Sequence, residues 1–122
     1  MPGCVLIVDD DQSIRELISM TLEDEGYTVV TAPEGKSALE KVAEQSPDVI
    51  LLDTRMPVMD GWEFARQFRE LPASKASLIM LTAVDDPDNA ASELGADAYL
   101  AKPFDLNDLS EIVARFMQAC GR

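Results

Sequence analysis

Five side chains in this sequence could share one piece of chemistry: the carboxylates of Asp9, Asp10 and Asp53, the hydroxyl of Thr82 and the ammonium of Lys102. Each stands at or just past the end of a short apolar run. Val5-Leu6-Ile7-Val8 ends in three acids, Val49-Ile50-Leu51-Leu52 in Asp53, Leu78-Ile79-Met80-Leu81 in Thr82, and Ala98-Tyr99-Leu100-Ala101 in Lys102. Singly, each has an ordinary explanation, since Asp starts turns, Thr caps strands, acids favour helix N-termini and Lys-Pro is a common solvated loop. Those explanations do not account for acid, hydroxyl and ammonium all falling at carboxyl ends and none at amino ends.

Three carboxylates gathered within ~4 Å repel by on the order of 4 kcal/mol per pair at an effective dielectric of about 20. Such a cluster must take up protons or a cation. A donor set of oxygen alone, with no histidine or cysteine, suits a hard ion, so Mg2+ is expected, with Mn2+ able to substitute. A carboxylate beside such an ion can attack phosphorus to form an aspartyl-phosphate. Phosphoryl transfer depends on positioning and on cancelling charge at the equatorial oxygens, and the metal, Lys102 and Thr82 with nearby backbone N–H groups could each meet one of them.

The elements that must position these groups follow from patterning. The first three of these runs, Val5–Val8, Val49–Leu52 and Leu78–Leu81, show no polar alternation, as strands buried on both faces do. Ser13 to Glu25 reads as a helix with Ile14, Leu17, Ile18, Thr21 and Leu22 at helical spacing, a Ser13/Glu16 capping box and Gly26 as its stop. Tyr27 to Thr31 reads as a strand, and a helix after Gly35 carries Ala38, Leu39, Val42 and Ala43 on one face. Gly61 to Leu71 should be a helix burying Trp62, Ala65 and Phe68 beside Phe64. Asp85 to Asn89 leads into a weak helix through Ala91, Leu94 and Gly95, whose small side chains offer little area to bury. A last helix, Leu106 to Met117, turns Leu109, Ile112, Val113 and Phe116 inward. Strand and helix thus alternate five times, which implies an α/β fold with a parallel sheet, right-handed crossovers and helices on both faces, and brings the five reactive side chains to one edge.

Composition narrows the function. At 122 residues with 47% hydrophobic content, the chain is sized for one domain over 1–122. Its formal charge of −13 argues against direct binding of nucleic acid or an anionic membrane. The absence of histidine removes Ser-His-Asp and Cys-His catalysis and any internal phosphohistidine relay. Cys4 and Cys120 have no metal-ligand or redox-motif spacing, and no basic leader or membrane-length apolar run is present, so a cytoplasmic protein with free thiols is expected.

Val8-Asp-Asp-Asp11, Asp53-Thr-Arg-Met-Pro-Val-Met-Asp-Gly61, Leu81-Thr-Ala83 and Tyr99-Leu-Ala-Lys-Pro-Phe104 resemble, in order, the four signature segments of response-regulator receiver domains, and the resemblance covers essentially the whole chain. It implies a flavodoxin-like (βα)5 sheet of order 2-1-3-4-5, phosphorylation on Asp53, and metal held by Asp10, Asp53 and the Arg55 main-chain carbonyl, with Asp9 acting through water. It further implies a cis Lys102–Pro103 peptide. On phosphorylation Thr82 would be drawn toward Asp53 and Tyr99 would move into the space vacated, repositioning the weak helix. Arg55 and Val84 correspond to positions that tune hydrolysis, and apolar Val84 implies a comparatively long-lived phosphate. Ile14 and Leu17 resemble the patch on which a histidine phosphodonor docks, with Ile14 expected to be partly exposed and Leu17 equally suited to the core.

The resemblance thus implies a signalling switch that takes a phosphoryl group from a sensor histidine kinase or histidine phosphotransfer protein and changes its affinity for a protein target. Its own phosphorylation and slow dephosphorylation are the only reactions expected of it. One rival is a Mg2+-dependent phosphatase using an aspartyl-phosphate, but such enzymes want a carboxylate two residues after the nucleophile, where this chain has Arg55, and a cap for which there is no insertion. A pseudo-receiver typically lacks one of the acids or the lysine, and none is missing here. The chain could act alone or be the receiver portion of a longer regulator.

Overall fold

The computed structural model describes residues 3–53, 61–71, 76–82, 89, 92 and 95–119. These residues form β1 (Cys4–Val8), α1 (Gln12–Asp24), β2 (Thr28–Ala32), α2 (Gly35–Gln45), β3 (Val49–Asp53), α3 (Gly61–Arg69), β4 (Ser77–Thr82), β5 (Ala98–Ala101) and α4 (Leu106–Ala119). All strand pairs are parallel, and the sheet order is β2-β1-β3-β4-β5, the flavodoxin-like arrangement the signature segments imply.

Side chains alternate across each strand and so supply two cores. Leu6, Val8, Ile50, Leu52, Leu78 and Met80 pack on one side with Ala38 and Val42 of α2 and Phe64, Ala65 and Phe68 of α3. Val5, Ile7, Val49, Leu51, Ile79 and Leu81 pack on the other with Ile18 and Leu22 of α1 and Leu109, Ile112 and Val113 of α4. Polar side chains have no place along β1, β3 and β4 until the strands end, which explains their unbroken apolar runs. The rings of Phe64 and Phe68 stack with centroids 5.9 Å apart and planes 8° from parallel; the Trp62 side chain lies outside the described residues.

Several boundaries differ from the sequence expectations for local reasons. α1 begins at Gln12, one residue early, because Asp11 leaves β1 in an extended conformation and its carboxylate accepts the Ser13 and Ile14 N–H groups at 2.9 and 3.3 Å. The Ser13/Glu16 capping box therefore does not form, and the Glu16 carboxylate accepts from Gln12 Nε2 instead. Ile18 and Leu22 set the buried stripe, leaving Leu17 turned outward and 48% exposed. β2 starts at Thr28 because the Tyr27 N–H still donates to the Leu22 carbonyl at the end of α1. Ala43 is exposed on α2, and on α4 Met117 is buried while Phe116 is only partly covered. The weak helix falls mainly outside the described residues, though Asn89 and Ser92 are helical and the Gly95 N–H donates to the Ser92 carbonyl with Gly95 at φ +80°. No helix among the described residues is long and apolar enough to cross a membrane.

The assignment of Asp11 as N-cap is open to direct test. Asp11→Ala should lower stability by about 1 kcal/mol, Asp11→Asn should retain most of it because an amide oxygen also caps, and Ser13→Ala should change little. Urea midpoints of the three variants measure this, and an Ser13→Ala loss as large as that of Asp11→Ala would restore the capping box.

Candidate functional site

Register brings the first two acids together. β1 and β3 pair Val8 with Leu52, so the next residues along, Asp9 and Asp53, are neighbours on adjacent strands about 4.8 Å apart. Val8 and Leu52 belong to the core on the α2 and α3 side, so strand alternation turns both acids toward the α1 and α4 side. Asp9 and Asp53 are buried, at 1% and 4% exposure, while Asp10 reaches in from the exposed turn above them. One carboxylate oxygen from each of the three lies within 4.8 Å of the others.

Hydrogen bonds fix the cluster unevenly. Asp9 Oδ1 accepts the Asp11 N–H at 2.9 Å, whereas Asp9 Oδ2 is buried with no donor among the described residues. Lys102 Nζ stands 3.3 Å from Asp53 Oδ1, and the Lys102 N–H donates to the Thr82 carbonyl at 2.7 Å. The Lys102–Pro103 peptide is cis. Burial pushes the Asp9 carboxyl up from 3.8 to about 6; the Asp11 amide opposes this, the Asp53 charge adds to it and Lys102 counters it. Among the described residues, one ammonium against three carboxylates leaves an excess of negative charge around an unused buried oxygen. Oxygen donors, that excess and the orphaned Oδ2 fit a hard divalent ion that keeps part of its water shell.

The acids form the polar end of a cleft of about 750 Å3. Ile14, Leu17 and Ile18 of α1 wall one side, and Pro103, Phe104 and Leu106 wall the other. Ile14 is half-buried, so it and outward-turned Leu17 are both accessible from the opening. Thr82 is buried at the end of β4, and alternation from Leu81 turns it toward the α2 and α3 side. Tyr99, paired with Met80 and partly buried against that same core, shares this side. Arg55 and Val84 lie outside the described residues. The sequence reading missed the apolar wall from Phe104 and Leu106, for which the signal was an aromatic directly after Lys-Pro, and it missed Arg15, whose guanidinium bonds the Asp9 carbonyl.

Comparison with known proteins places this geometry in context. A family model described as the response regulator receiver domain matches residues 5–114. The alkaline phosphatase synthesis transcriptional regulatory protein PhoP of Bacillus subtilis is 38% identical over 116 residues, covering 93% of this chain and 48% of that protein. The chain spans about half the length of the curated relatives it matches. The chemotaxis response regulator CheY4 of Vibrio cholerae superposes with a TM-score of 0.88 at 39% identity, over 95% of this chain and 99% of that one. The receiver domain of the sensor histidine kinase PA1611 from Pseudomonas aeruginosa, solved with a magnesium ion coordinated in its active site cleft, gives 0.86 at 31% identity, over 97% and 99%.

The raised Asp9 pKa carries a pH dependence. Because the folded value lies above the unfolded one, protonation of Asp9 favours the folded state: its contribution is complete below the ordinary carboxylate range and is lost as pH rises through about 6. In chelator, the thermal midpoint of the wild type relative to Asp9→Asn should therefore rise as pH falls from 7.5 to 5.5, and Asp9→Asn should be the more stable of the two at pH 7.5. Parallel melting curves for the two proteins across that range would refute the assignment.

Proposed function

The chain belongs to the receiver-domain family of two-component response regulators, signalling proteins phosphorylated on an aspartate, and on that premise we propose that Asp53 is the phosphoryl acceptor of a Mg2+-dependent switch. The observation that carries this reading is the meeting of the Asp9, Asp10 and Asp53 carboxylates with Lys102 Nζ 3.3 Å from Asp53. Asp10, Asp53 and the Arg55 main-chain carbonyl would hold Mg2+, with Asp9 supporting it through water; Mn2+, which accepts the same oxygen donors, could substitute. When bound, the ion supplies cancellation of charge on a phosphoryl oxygen.

An Asp53 carboxylate oxygen attacks the phosphorus of a phosphohistidine on the donor; the P–O bond forms as the N–P bond breaks, and the imidazole leaves with the electron pair. Lys102, 3.3 Å from Asp53, would hold one equatorial oxygen, and the Thr82 hydroxyl, once drawn toward Asp53, another. Recruitment of Thr82 toward phosphorylated Asp53 would be followed by Tyr99, which lies on the same side of the sheet. Ile14 and Leu17 form one wall of the cleft through which a sensor histidine kinase or a histidine phosphotransfer protein would reach Asp53. Arg55 and Val84 are proposed to set the lifetime of the acyl phosphate. The charge of −13 favours protein targets over nucleic acid or an anionic membrane for this chain. Longer relatives include a transcriptional regulatory protein, and in a regulator of that kind contact with nucleic acid would fall to sequence beyond the receiver.

Incubation with Mg2+ and acetyl phosphate, followed by intact-mass measurement, should add one phosphoryl group per chain. Asp53→Asn or chelation should abolish the addition, and Lys102→Ala should slow it by roughly 100-fold. Labelling that survives Asp53→Asn would overturn the site, and turnover of p-nitrophenyl phosphate faster than single labelling would favour the phosphatase reading.

A further inference from the structure

We propose that Arg15 is a positioning residue for the cation site, a role that rests on the reading of the acidic cluster as a Mg2+ site. Arg15 sits in the first turns of α1, where the helix dipole disfavours a positive charge. Glu16 and Glu23 line the same surface groove, yet among the described residues Arg15 forms no ion pair with either. Its half-buried side chain runs back past the helix N-terminus, and Nη1 donates to the main-chain carbonyl of Asp9 at 2.6 Å. A guanidinium committed to a neutral carbonyl at a strand end, with acids available beside it, points to a demand made by that carbonyl.

The demand comes from Asp9. Its N–H donates to the Ala32 carbonyl of β2 at 3.2 Å, its carbonyl accepts from Arg15 and its Oδ1 accepts the Asp11 N–H. With three of its four polar groups tied to three different segments, Asp9 has no freedom to rotate, and the remaining Oδ2 is held buried, without a donor, among the acids. Removing the Arg15 bond frees the carbonyl end of that peptide, which is the peptide leading into Asp10 and the Asp11 cap. Partners that orient ligands from behind typically change metal affinity 10- to 100-fold when lost. Arg15 acts on the site through the backbone and touches neither cation nor phosphate.

Calorimetric titration of the phosphate-free protein with MgCl2 tests this on wild type, Arg15→Met, which keeps the aliphatic stem and removes the donor, and Arg15→Lys, which keeps one donor. Arg15→Met should bind Mg2+ about tenfold more weakly, and Arg15→Lys within about threefold of wild type. The Arg15→Met deficit should persist between 50 and 500 mM NaCl, whereas an effect of charge alone would be screened away. In the metal-free protein the Asp11 amide proton, which reports the bond to Asp9, should shift in Arg15→Met and return in Arg15→Lys. Arg15→Met binding within threefold of wild type, a deficit that vanishes in high salt, or no rescue by lysine would each overturn the proposal. Wild type that binds no Mg2+ at all would instead overturn the reading of the cluster as a metal site.

Discussion

Repulsion between carboxylates forced onto neighbouring strand ends is the constraint around which this molecule is built. The register of β1 against β3 leaves Asp9 and Asp53 side by side in a nearly dry rim, and folding supplies one ammonium, from Lys102, against three acids. Burial, with a smaller push from the Asp53 charge, raises the Asp9 carboxyl to about 6, and a proton there relieves part of the excess. On the proposed reading a cation would relieve more of it without changing the covalent structure, and an arriving phosphoryl group would then meet positive charge instead of a wall of acids.

The scaffold is what makes that unfavourable arrangement persist. β1, β3 and β4 are apolar on both faces, so the cores under α1 and α4 and under α2 and α3 clamp the same strands from opposite sides. A one-residue slip of β3 against β1 would either expose Leu52 at the rim or draw Asp53 into the sheet, and two-sided burial opposes both. The stability that folding invests in the centre of the sheet thereby holds the acids in place at its edge. Fastenings beyond the strands are polar and local: the Asp11 cap, the Lys102 amide on the Thr82 carbonyl and the Arg15 guanidinium on the Asp9 carbonyl.

The features readable from sequence are those with a one-dimensional signature. Unbroken apolar runs marked the three central strands, and the residues ending them marked the functional rim, because a strand buried on both faces can place polar groups only where it stops. The difference between Asp9 and Asp10 was not readable, since both are acids in one turn and only the pairing of Val8 with Leu52, which sets Asp9 beside Asp53, makes the first buried and leaves the second exposed. Spacing alone left Leu17 open between core and cleft, because it is apolar and in phase with both; Ile18 and Leu22 take the core and Leu17 is left to the cleft. Asp11 and Ser13 are both good caps, and the choice between them depended on where β1 releases the chain. Arg15 carried no signal at all, since its contact follows from the direction in which the helix leaves the strand.

Alternation along the strands has one more consequence. Asp9 and Asp53 turn toward the layer containing α1 and α4, whereas Thr82 and Tyr99 turn toward the layer containing α2 and α3. On the proposed reading, the carboxylate that would take the phosphoryl group and the side chains that would answer it turn to opposite sides of a sheet only one residue thick. The proposed switch would therefore need side-chain movement around the end of β4 to connect the two sides.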